Sequence, residues 1–105
     1  MKKYEVVLSE RFKREFRKFD KYTQNILRSW INNNIVDCKD PRLHGKSLTG
    51  DMKGLWRYRI GDYRMICEIR DDELIILALT VGHRREVYDQ QRYLHEETEP
   101  DIDEY

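Results

Sequence analysis

The sequence predicts a small α+β domain: an antiparallel β-meander packed against an N-terminal helical hairpin, in the order β-α-α-β-β-β. Three observations carry this. Two polar caps, Ser9 and Asp20, each precede an apolar pattern of helical period. Three strand-like runs, Leu55–Ile60, Tyr63–Arg70 and Glu73–Val81, are joined by the short polar connections Gly61-Asp62 and Asp71-Asp72. The length, 105 residues, allows one domain with a modest core and is too short for two.

Taken in order, Tyr4–Ser9 (YEVVLS) is β-branched and aromatic enough for a strand. Ser9 then caps a helix with Phe12, Phe16 and Phe19 along one face and Lys13, Arg14, Arg17 and Lys18 on the other. Asp20 caps a second helix, whose apolar face is Ile26, Leu27, Trp30 and Ile31 and whose end is weakened by Asn32, Asn33 and Asn34. Residues 37–53 hold Pro41, Gly45 and Gly50 without a sustained period, which predicts a loop wrapping back toward the sheet. The last run, ELIILALTV, is apolar on both faces and is expected in the sheet interior, with the first strand beside it.

The formal net charge is zero, but the charge is unevenly placed. Residues 86–105 contain one of the 20 basic residues, Arg92, and eight of the 20 acidic ones, leaving residues 1–85 with 19 against 12, net +7. A basic body suits a polyanionic partner, and the acidic end reads as a flexible tail, giving a domain over 1–92 and a tail over 93–105. Cys38 and Cys67 lie far apart and form no Cys/His ligand set, so neither a zinc site nor a disulfide framework is expected. No apolar run reaches signal-peptide or membrane-span length, and the expected location is the cytoplasm.

With Gly61 and Asp62 as a two-residue turn, Ile60 faces Tyr63 and Arg59 faces Arg64. Trp56, Tyr58, Ile60, Tyr63, Met65 and Cys67 then share one face, which is the core. The other face receives Arg57, Arg59, Arg64, Ile66 and Glu68. Facing like charges cost roughly 0.2 to 1 kcal/mol by analogy with other cross-strand pairs. A phosphate offsets that cost, because guanidinium forks donate paired hydrogen bonds to its oxygens; neutralisation by Glu68 or other carboxylates is the structural alternative. The last strand runs into VGHRREVY, where His83, Arg84 and Tyr88 are expected at one end of the sheet: a proton-transfer group, a fourth cation and a ring for stacking a base.

The segments GLWRYRIGDYRMICEI and LALTVGHRREVY, together with the element order, resemble the RelE/ParE superfamily of toxin-antitoxin toxins over most of Tyr4–Tyr88. The resemblance implies a small cytosolic toxin restrained by a cognate antitoxin, a small and partly disordered protein. The RelE branch cleaves messenger RNA in the ribosomal A site; the ParE branch poisons DNA gyrase. Carried over by position, the RelE site falls on Arg57, Arg59, Arg64, Arg84 and Tyr88. The first two depart from the lysines of RelE proper, and an arginine cannot serve as a general base.

The implied chemistry is attack of the ribose 2′-OH on the adjacent phosphorus, leaving a 2′,3′-cyclic phosphate and a 5′-OH, with no metal or other cofactor. Arg57, Arg59, Arg64 and Arg84 stabilise the phosphorane, His83 moves a proton, Tyr88 orients a base, and Glu68 is a reserve general base. Two other readings stand beside the RelE-like one: a ParE-like gyrase inhibitor, and a non-catalytic module that docks RNA or an antitoxin. The charge split also allows the acidic tail to occupy the basic face of its own chain as an internal lid.

Overall fold

The computed structural model describes residues 3–83. Arg84, Tyr88 and the acidic tail, to which the sequence assigns a cation, a stacking ring and a lid, lie outside the described residues. The elements are β1 (Glu5–Leu8), α1 (Glu10–Arg17), α2 (Lys21–Asn34), β2 (Lys46–Ser47), a short 3-10 turn (Gly50–Met52), β3 (Trp56–Ile60), β4 (Tyr63–Arg70) and β5 (Ile75–His83). They form a five-stranded sheet in the order β1-β5-β4-β3-β2, with β1 parallel to β5 and every other pair antiparallel.

Both helices start where their caps place them. The Ser9 hydroxyl accepts from the Phe12 amide at 3.0 Å, and the Asp20 carboxylate accepts from the Thr23 amide at 2.8 Å, each satisfying a donor that the first helical turn leaves open. Accepting that bond also holds the Asp20 carboxyl below the usual carboxylate range. The helices cover one face of the sheet. Phe12, Leu27, Ile31, Tyr58, Ile60, Met65, Cys67, Ile76, Ala78 and Val81 are buried there, with Phe16, Phe19, Trp30, Trp56 and Tyr63 packed around them. Burying a side chain such as Phe12 or Leu27 stabilises by roughly 1.5 to 3 kcal/mol. Ile26 departs from the expected apolar stripe: it is 40% exposed, lining an open groove with Tyr22, Trp30 and Ile60.

The region read as a loop contributes the fifth strand. Lys46 and Ser47 pair with Arg57 and Trp56 of β3. Gly45 makes this possible: its φ is +90°, and a Cβ there would lie 2.3 Å from the Arg57 carbonyl and 2.5 Å from Trp56 Nε1. The rest of the segment is anchored as it passes. Tyr58 Oη donates to the Pro41 carbonyl at 2.6 Å, Trp56 Nε1 donates to the His44 carbonyl at 2.7 Å, and the Arg42 guanidinium donates twice to Asp71, each at 3.0 Å. Leu48, Met52 and Leu55 then pack on Ile66, so the face of the sheet away from the helices carries a small apolar cluster of its own.

Strand β5 holds a bulge. Cys67 pairs with Ala78 but Ile66 pairs with Thr80, leaving Leu79 as the extra residue. Strand β1 stops opposite Ala78, and the side chains of Ser9 and of Glu15 in α1 take over beyond it. Ser9 Oγ donates to the Leu79 carbonyl at 2.9 Å, while the Glu15 carboxylate accepts from Thr80 Oγ1 at 2.7 Å and from the Val81 amide at 2.9 Å. These bonds satisfy backbone groups that a longer β1 would have paired.

Candidate nucleic-acid interface

The β3–β4 register is the one read from the turn: Ile60 pairs with Tyr63, Arg59 with Arg64, Tyr58 with Met65, Arg57 with Ile66 and Trp56 with Cys67. Directly opposed residues share a face, so two rows run across the sheet on the side away from the helices. One row is Lys46, Arg57, Ile66 and Thr80. The next is Arg59, Arg64 and Gly82.

The three arginines do not form the open cradle that the sequence predicts. Arg57 is 3% exposed and Arg64 1%, while Arg59 is exposed. Arg64 lies opposite Gly82, whose missing side chain leaves it room, and its guanidinium donates to the carbonyls of Gly61 and Tyr63, both at 3.1 Å. It therefore braces the hairpin turn as well as charging the face. Arg57 lies beside Ile66, against which Leu48, Met52 and Leu55 pack. The burial follows from the loop and from Gly82, neither of which hairpin register can reveal.

His83 and Glu68 stand apart from this cluster. His83 pairs with Tyr63, in the row that continues to Ile60 on the helix-packed face; the His83 and Tyr63 rings meet edge-on at 5.7 Å, and Tyr63 meets Phe19 at 5.3 Å. His83 thus lies at the end of β5 on the face opposite the arginines. Glu68 is on the arginine side but four residues along β4 from Arg64, about 13 Å at the rise of a strand. It is ion-paired with Arg70 at 3.2 Å, and Arg70 also faces Glu73 at 3.7 Å. Nothing in this position marks Glu68 as a base for chemistry at Arg59.

Lys46 is the residue that sequence reading missed. It is exposed, sits directly across from Arg57, and lies on the diagonal from Arg59, a separation of about 7 to 8 Å that long side chains span. A two-residue strand has no periodicity to announce it, and the Gly45 φ that permits it leaves no signal beyond a glycine in a loop.

Two helices covering one face of a five-stranded sheet is the architecture of RelE-like toxins. The sequence profile of the ParE toxin of type II toxin-antitoxin systems (parDE) matches residues 6–88, and the chain belongs to this family. A search of curated protein sequences found no match.

Among solved structures, the chain is similar to a component of the RelBE2 toxin-antitoxin complex from Mycobacterium tuberculosis, with 24% identity, a TM-score of 0.72, and coverage of 80% of this chain and 94% of that one. It is also similar to a RelE toxin variant from Escherichia coli in the free state, with 21% identity, a TM-score of 0.66, and coverage of 89% and 98%. A YoeB/ParE toxin from Agrobacterium tumefaciens matches at 17% identity and a TM-score of 0.58, covering 75% and 96%. These likenesses establish the fold.

Proposed function

We propose that this toxin is a cytoplasmic, metal-independent messenger-RNA endoribonuclease that acts on the ribosome, restrained by a cognate antitoxin. The observation that carries the reading is the Arg59–Arg64 pair, two cations held face to face by backbone register with Arg57 on the same side. Guanidiniums gathered on one face of a sheet are suited to a polyanion, because each can donate paired hydrogen bonds to phosphate oxygens. Arg59 is the guanidinium that reaches solvent, so it contacts the scissile phosphate; Arg64 and Arg57 add field from beneath it. Arg84 and Tyr88 keep the roles that family resemblance assigns them, a further cation and a stacking ring. Attack by the 2′-OH needs no activated water, so the protein has only to orient the ribose, stabilise charge on phosphorus and manage two protons.

The antitoxin follows from family membership and from the neighbours: structures similar to this chain are toxin-antitoxin complexes, among them RelBE from Escherichia coli and RelE-RelB from Pyrococcus horikoshii. A ParE-like action on DNA gyrase is the second reading. It is favoured by the matching profile and by the burial of Arg57 and Arg64, which leaves less of the cluster available to a substrate.

One experiment separates the two. The protein is induced in cells, messenger-RNA 5′ ends are mapped and tested for 5′-OH termini phased with codons, and gyrase supercoiling is assayed alongside. Phased 5′-OH ends with normal supercoiling support the ribonuclease; inhibited supercoiling with intact messages replaces it by the gyrase reading.

A further inference from the structure

We propose that the acidic residues 94–105 dock on their own chain, in a groove between β1, α1 and α2 on the helix side of the sheet, away from the arginine face. The groove has a volume of about 350 Å³; Leu8, Phe12, Phe16, Ile31 and Val36 are in its floor, and Lys13, Arg17 and Arg28 stand at its rim. Leu8 and Val36 are each 38% exposed, and β1 is an edge of the sheet, so apolar surface is left open here. All three rim cations are exposed, and among the described residues no carboxylate lines the groove. Lys13 meets Glu10 at 3.4 Å in an exposed pair, and the Arg28 guanidinium lies over the Phe16 ring, 5.3 Å from its centroid. An occupant therefore needs apolar side chains for the floor and carboxylates for the rim.

Residues 94–105 carry both. Glu96, Glu97, Glu99, Asp101, Asp103 and Glu104 supply carboxylates with no lysine or arginine among them, and Leu94, Ile102 and Tyr105 supply apolar groups. The segment is also within reach. Strand β5 ends at His83, paired with Tyr63, whose ring meets that of Phe19, just past α1, at 5.3 Å. From there residues 84–93 span up to about 33 Å when extended, whereas α1 is only about 12 Å long. Such a tether holds a segment at an effective concentration on the order of millimolar, which favours it over a separate acidic chain. Two copies of this groove placed face to face would instead set Lys13, Arg17 and Arg28 of one against those of the other. A partner that uses this groove must first displace the tail, while the arginine face stays open to its own ligand.

The test uses the full chain, isotope-labelled at its methyl groups, with a nitroxide on Tyr105→Cys in a Cys38→Ser background; Cys67 is fully buried and is not modified. The expected result is loss of the Val6, Leu8, Ile31 and Val36 methyl signals, while those of Leu48, Leu55 and Ile66, beside Arg57, are retained. Arg17→Glu combined with Arg28→Glu should restore the groove signals. A second variant, without nitroxide and with the six carboxylates of residues 94–105 changed to amides, should shift the same groove methyls relative to wild type.

Signal loss centred on Leu48, Leu55 and Ile66 puts the tail on the arginine face and overturns the proposal. So does an equal loss of groove signals when nitroxide-bearing chains are mixed with separate isotope-labelled ones, which assigns the occupant to a second copy. Groove signals that survive the nitroxide and do not move in the amide variant overturn it as well, as does signal loss that Arg17→Glu with Arg28→Glu leaves unchanged.

Discussion

Arg59 and Arg64 face each other across one hairpin, yet their alanine variants should fail in opposite ways. Arg59 is exposed, so Arg59→Ala leaves no cavity in the core. Its midpoint of thermal unfolding should move by only a few degrees, at about 4 to 8 °C per kcal/mol for a domain of this size and about 0.5 kcal/mol for a surface substitution. Its cleavage rate should fall by about two to three orders of magnitude, the usual cost of deleting one preorganised charge at a transition state.

Arg64 is 1% exposed and donates two hydrogen bonds to the turn. Losing that charged donor costs about 1.5 to 3 kcal/mol before any cavity is counted, so Arg64→Ala should unfold roughly 6 to 24 °C lower. Activity loss in Arg64→Ala is thus not interpretable without its stability, and the functional weight falls on Arg59. Calorimetry paired with RNA cleavage by the same preparations decides the matter. A folded Arg59→Ala protein with wild-type cleavage would refute the placement of the substrate on this face.

Three further outcomes follow from the fold. Ser9→Ala removes both the cap on α1 and the bond to the Leu79 carbonyl, and should destabilise by about 2 kcal/mol, read as a midpoint roughly 8 to 16 °C lower; an unchanged midpoint contradicts the bridging role. Gly45→Ala forces a non-glycine residue to φ +90° and a Cβ into the Arg57 carbonyl; it should cost at least about 1 to 3 kcal/mol and detach β2, checked by denaturant unfolding and by loss of amide protection at Lys46 and Ser47. The bonds from Arg42 and Tyr4 hold the Asp71 carboxyl below the usual carboxylate range. Its contribution is therefore complete above the unfolded carboxylate range and is lost as pH falls through the lower, folded value. Thermal midpoints should drop on acidification, less steeply in Asp71→Asn, and equal slopes for the two proteins would remove Asp71 from the account.

The hairpin was legible because its turn is short and its aromatics alternate: Gly61-Asp62 leaves one register that buries Trp56, Tyr58, Met65 and Cys67 together. The caps at Ser9 and Asp20 were legible because a side-chain acceptor at a helix start is a local matter. What escaped depended on contacts between distant segments. Arg64 is buried because Gly82 faces it from β5, and β2 exists because Gly45 lets residues 46–47 approach the Arg57 carbonyl. Cys67, by contrast, reads the same in both: a thiol on the inward face, pushed far above its ordinary pKa by burial and unsuited to redox or metal chemistry.

The bulge at Leu79 sets the face on which His83 lies. From Arg70–Ile75 to Cys67–Ala78 the β4–β5 pairs advance in step; past Leu79 every partner in β5 is shifted by one residue. Without that shift Val81, not Gly82, would face Arg64, crowding the guanidinium, and His83 would share the arginine side. With it, Gly82 opens room for Arg64 and His83 turns to Tyr63. Ser9 and Glu15 of the first helical segment make the bonds that satisfy the bulged backbone. The composition of the basic face is thus set partly from the other side of the sheet: Ser9, which caps α1, and Glu15 within it help determine that an arginine meets a glycine.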